Sequence, residues 1–61
     1  MTRTYAAKRL LEHGPLTFTE MREITGWPAR VVAGALRSLM ETGVAVAERC
    51  GRHKNLYRLA A

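Results

Sequence analysis

Glycine and proline punctuate this chain at four places, and regular structure has to fit between them. Gly14-Pro15, Gly26-Trp27-Pro28, Gly43 and Gly51 leave intervals that suit three helices and one hairpin. Proline lacks the N–H a helix interior needs, and glycine supplies the backbone turn that stops a helix. The first interval predicts a helix from about Thr4 to Glu12, with Ala6, Ala7, Leu10 and Leu11 at helical spacing and Thr4 as its N-cap. Leu16-Thr17-Phe18 reads as a connector or a very short strand. A second helix is expected over Glu20 to Thr25, capped by Thr19, with Met21 and Ile24 facing inward. A third is expected from Pro28 to Thr42, with Val32, Leu36, Leu39 and Met40 as its buried stripe and Val31 and Ala35 on the flank. Val44–Ala47 and Leu56–Leu59 read as two strands around a basic turn at Gly51. Alternation then places Val44, Val46, Tyr57 and Leu59 on one face. The expected fold class is mainly α with a small β-hairpin, in one domain over residues 1–61.

Nothing covalent helps such a chain hold together. It has 61 residues and a single cysteine, so no internal disulfide can form. Cys50 with His13 and His53 is a poor ligand set for structural zinc, which usually takes four thiolate or imidazole ligands. A domain of this size buries only about 60% of the surface its unfolded chain exposes. The apolar core must therefore carry the fold, and Trp27 and Tyr57 are read as part of it. Cys50, between Arg49 and Arg52, is also a candidate redox sensor, because neighbouring cations favour the thiolate. No run approaches the roughly 20 apolar residues of a membrane span. Met1-Thr2-Arg3-Thr4 leads straight into a helical pattern without the features of a signal peptide. The expected location is the cytoplasm, associated with the nucleoid, and no membrane partner is expected.

Charge supplies the first indication of function. Ten Lys and Arg stand against five acidic residues, all Glu, for a net charge of +5. Residues 1–28 hold four basic and three acidic side chains, whereas residues 29–61 hold six and two. A basic balance concentrated in one half is the electrostatic footprint of a nucleic-acid binder. No paired carboxylates, nucleophile with a base, or phosphate-binding glycine loop can be picked out, so neither an enzyme nor a cofactor is expected.

Helix, short strand, helix, tight turn, helix, basic hairpin is an order with a known resemblance. Leu16-Thr17-Phe18-Thr19-Glu20-Met21-Arg22-Glu23-Ile24-Thr25-Gly26-Trp27-Pro28 resembles the LTxxELxxxTGLS segment of winged helix-turn-helix DNA-binding domains. Val32, Leu36, Leu39, Met40 and Gly43-Val44 are similar to its VxxxLxxLxxxGLV continuation. Arg52 to Leu59 resembles the wing return, GRxxxYRL. The chain departs from the pattern at Pro28, where a Ser or Thr cap is usual, and at Gly34, where a polar or basic residue is frequent. The family includes small bacterial, phage and plasmid transcription regulators.

The resemblance implies that the third helix enters the major groove of double-stranded DNA. A helix about 10–12 Å across fits a groove about 12 Å wide. Arg30 is then the candidate base reader, since a guanidinium can bond the O6/N7 edge of guanine in two places. Ala29 and Ala33 would touch thymine methyls. Gly34 would let the helix backbone lie close to the DNA, or would pack closely against another helix. Arg37 would meet a phosphate. Arg49, Arg52, His53 and Lys54 would hold the backbone or the minor groove from the wing. Thr17 and Thr19 would donate to a phosphate, or serve as cap and turn residues. A homodimer or a cooperative assembly on DNA is expected. Two other readings stay open: a protein-docking winged helix, and a DNA-architectural or excision factor of a mobile element. RNA fits less well, because the major groove of A-form RNA is too narrow for a helix.

Overall fold

A computed structural model describes residues 2–49, 51, 52 and 54–60. The roles expected for Cys50 and His53 lie outside the described residues. The elements are α1 (Arg3–Leu11), β1 (Leu16–Thr17), α2 (Phe18–Thr25), α3 (Ala29–Glu41), β2 (Ala45–Arg49) and β3 (Asn55–Leu59). Three helices therefore stand against a small antiparallel sheet. The sheet has three strands in the order β1-β3-β2, so Leu16–Thr17 is a true strand and extends the hairpin.

The helix starts lie earlier or later than the sequence reading places them, and each shift has a local cause. Thr2, not Thr4, caps α1, and its hydroxyl oxygen accepts from the Tyr5 N–H at 3.1 Å. Thr17, not Thr19, caps α2. Thr17 Oγ1 accepts from the Glu20 N–H at 3.2 Å, and Glu20 Oε1 accepts from the Thr17 N–H at 2.9 Å. This reciprocal pair is a capping box, which needs a Glu or Gln three positions after the cap. Thr19 becomes an exposed residue of the first turn. Gly26 closes α2 with φ +72°, a left-handed conformation that costs glycine little. Pro28 is extended at ψ 154° and caps α3 from outside. Its carbonyl accepts from the Val31 and Val32 N–H groups.

The core consists of Ala7, Leu11, Met21, Val32, Ala35, Leu36, Leu39 and Ala45. Leu10, Leu16, Phe18, Trp27, Val44, Tyr57 and Leu59 pack on it half-buried, so Trp27 and Tyr57 are core-side residues. The buried stripe of α3 is Val32, Ala35, Leu36 and Leu39, which recur at helical spacing. Met40 lies about 100° round the helix from Leu39 and is 40% exposed, and Ala35 takes the place expected for it. Ile24 is likewise not inward, being 57% exposed, and α2 is anchored by the buried Met21 with the half-buried Phe18.

The hairpin face is also offset by one residue. Ala45 pairs with Leu59 and Ala47 with Tyr57, so these four share a face, while Val46 pairs with Arg58 on the other. A one-residue slip exchanges the two faces of a strand. Val44 packs on the core from the turn before β2, where its N–H donates to the Leu39 carbonyl. Among the described residues, no helix is long and apolar enough to cross a membrane.

Candidate nucleic-acid interface

The burial of Val32, Ala35, Leu36 and Leu39 fixes what α3 shows to solvent. Arg30 stands three and four residues before Ala33 and Gly34, and Arg37 four and three after them, so the four share the opposite side. Together they line one open concavity of about 260 Å³. The shape follows from the residues: two long guanidinium side chains flank a methyl group and a bare backbone. Ala29 is exposed at the start of the same helix but does not line the concavity.

The arginines of this chain divide into engaged and available. Arg9 pairs with Glu12 at 2.9 Å, and Arg58 pairs with Glu48 across the hairpin. Among the described residues, the guanidinium groups of Arg30 and Arg37 have no hydrogen-bond or ion-pair partner, and no carboxylate lines their concavity. Two unneutralised planar cations at one exposed helix face can bond oxygen acceptors in pairs.

Gly34 resolves one of the two roles expected for it. A Cβ built at this position meets nothing within 4 Å, and the residue is exposed. Among the described residues, packing against another helix is therefore ruled out. Glycine in a helix interior costs roughly 0.5–1 kcal/mol relative to alanine, and nothing inside the fold offsets that cost here. Gly34→Ala is accordingly expected to stabilise the chain by about that amount, measured by denaturant unfolding. If the α3 backbone lies against a ligand, the same variant should bind more weakly while melting higher. Higher stability with undiminished binding would remove residue 34 from the interface.

The remaining expected contacts gather in and below the β2–β3 connection. Arg49 ends β2 opposite Asn55, the first residue of β3, and Arg52 and Lys54 lie in the connection between them. All three cations are exposed. Lys54 and Asn55 also form one wall of a cleft of about 390 Å³, whose other side is Thr17, Thr19, Glu20 and Glu23 at the start of α2. Thr17 is committed as a cap on both its N–H and its hydroxyl oxygen, so its structural role holds. The Glu20 carboxyl is held below the usual carboxylate range, first by the hydrogen bond from the Thr17 N–H, then by the Thr17 hydroxyl, and also by the nearby charge of Lys54.

Glu20, Glu23 and Asn55 are site neighbours that the sequence reading passed over. The spacing of Thr17 and Glu20 was a usable signal for the first. The other two are brought in by the pairing of β1 with β3, which sets the hairpin beside α2. Among the described residues, no group of three or more His, Cys, Asp or Glu is placed to hold a metal ion. No family model matches the chain, and no curated protein and no solved structure matches it.

Proposed function

We propose that the chain is a winged helix-turn-helix domain that binds double-stranded DNA with sequence preference and acts as a small transcription regulator. The single observation that carries this reading is the exposed face of α3, where unpartnered Arg30 and Arg37 flank Ala33 and Gly34. The element order and the three-stranded sheet are compatible with the family layout. In this reading α3 is the recognition helix in the major groove, with Arg30 on a base edge and Arg37 on a phosphate. Arg49, Arg52 and Lys54 are the backbone contacts of the wing. A DNA-architectural or excision factor would use the same surfaces. The exposed large apolar residues, Tyr5, Ile24 and Met40, do not line the α3 concavity, which favours a charged ligand over an apolar protein partner at that face. One module of this kind covers roughly 600–1,000 Å² of surface, so a dimer on a palindrome or a cooperative array completes the proposal.

Salt dependence tests the reading most directly. Four to six cations on phosphates should give a slope of log K against log salt of about −4 to −5. The measurement is fluorescence anisotropy of a labelled duplex at several salt concentrations. Selection from a random duplex pool then supplies the preferred site and its symmetry. A chain that binds no duplex even at low salt is not a DNA-binding domain, and the protein-docking reading takes its place.

A further inference from the structure

We propose that Glu20, assisted by Glu23, is an electrostatic brake on backbone binding: it faces Lys54 at the turn end of the hairpin, offsets that charge, and repels phosphate from the cleft between α2 and β3. The inference rests on the DNA-binding reading and adds to it a device that lowers affinity for every sequence alike.

The placement of charge carries it. Lys54 faces Glu20 and Glu23 across one cleft, so this cleft has a net charge of −1 on a chain whose total is +5. The α3 concavity, by contrast, carries two cations and no acid. Thr19 and Glu23 also line the adjoining groove, which runs past Arg22 to Gly26 and Trp27 at the turn before α3. A nucleic-acid strand passing from the start of α3 to the hairpin along α2 meets Glu23 and then Glu20.

Glu20 cannot easily swing out of the way. Its carboxylate accepts the Thr17 N–H at 2.9 Å as half of the capping box. That bond favours the charged form of the carboxylate and holds it at the cleft wall. It also fills the place where an anion would otherwise be welcome. The N-terminal turn of a helix attracts phosphate through its free N–H groups and positive dipole end. Here one of those groups and much of that field are already taken by the chain's own carboxylate. Lys54, which the wing would present to a phosphate, lies in the field of Glu20 across the cleft, which offsets part of its attraction for that phosphate. Glu23 has no hydrogen-bond or ion-pair partner among the described residues and adds uncompensated negative charge one turn along α2.

Glu20→Gln separates the brake from the cap. Glutamine can still accept the Thr17 N–H in a capping box, but it carries no charge. The expected result is tighter binding to selected and random duplexes by the same factor, roughly two- to fivefold at low salt, the range an exposed ion pair supports. The gain should shrink as salt is raised, because screening weakens both the repulsion and the Glu20–Lys54 attraction. In a Lys54→Ala background the same substitution should gain less, since only the repulsion is then left to relieve. Glu23→Gln, which lies outside the cap, should move affinity in the same direction by a smaller factor. It keeps the test decisive if Glu20→Gln melts far below the parent chain. Unchanged or weaker binding by Glu23→Gln and by a folded Glu20→Gln overturns the brake while the parent still binds with its salt slope. A parent chain that binds no duplex at low salt removes the DNA-binding reading and the brake together.

Discussion

Leu36→Ala is expected to leave the chain largely unfolded at 37 °C. Leu36 is 1% exposed at the centre of the α3 stripe, beside Val32, Ala35 and Leu39. Truncating a buried leucine to alanine costs about 2–5 kcal/mol, the lost transfer energy plus the cavity left behind. A chain of this length has about 3–9 kcal/mol of total stability, so the loss is comparable to the whole. Each 1 kcal/mol shifts the melting midpoint of so small a domain by about 4–8 °C, so the expected fall is about 8–40 °C. Thermal melts followed by circular dichroism provide the measurement. Met40→Ala and Ile24→Ala serve as controls, because both side chains are exposed and surface truncations stay within about 0.5 kcal/mol. A cooperative melt of Leu36→Ala at the parent midpoint, with Met40→Ala strongly destabilised, would show that the faces of α3 are the reverse of those described.

That contrast also marks where the sequence was legible. The three helices and the hairpin were readable because glycine and proline end each piece, and because the α3 stripe repeats over thirteen residues. Met40 was misread because an apolar residue beside Leu39 looks like part of the stripe, yet one step round a helix turns it about 100°. Ile24 was misread for a related reason. α2 has only eight residues, too few for apolar spacing to separate a buried position from a flanking one. The strand faces were misassigned because Val44 and Val46 are the bulkier residues. The register instead puts the small Ala45 inward, with Val44 packing on the core from the turn before the strand. Small side chains fit where α3 and β2 approach closely, which composition alone does not reveal. The basic face of α3 was legible as a pattern of residue types. Its freedom from internal partners was not, because that depends on where Glu12, Glu20 and Glu48 are engaged. The cleft that brings Lys54 to Glu20 depends on strand pairing across about forty residues of chain, which no local pattern encodes.

Arg30→Ala is expected to remove most of the discrimination between a selected duplex and a random one. Arg30 lies in the first turn of α3, at the exposed rim of the concavity it shares with Arg37. The first turn of a recognition helix is the part that reaches base edges. Loss of a two-pronged guanine contact costs about 1–3 kcal/mol, or roughly 5- to 150-fold, and only on sequences that offer that contact. Arg52→Ala should behave differently. Arg52 stands in the connection between β2 and β3, exposed, where a flexible cation meets sequence-independent phosphate. Its loss should weaken selected and random duplexes by the same factor and lower the salt slope by about one. Neither side chain touches the core, so both variants should melt with the parent, which keeps binding changes separate from folding. Anisotropy titrations of both duplexes at one fixed salt concentration distinguish the two roles. If Arg30→Ala weakens both duplexes equally while Arg52→Ala abolishes the preference, the hairpin is the reading element. α3 would then be reassigned to holding the backbone, with its core-facing side unaffected.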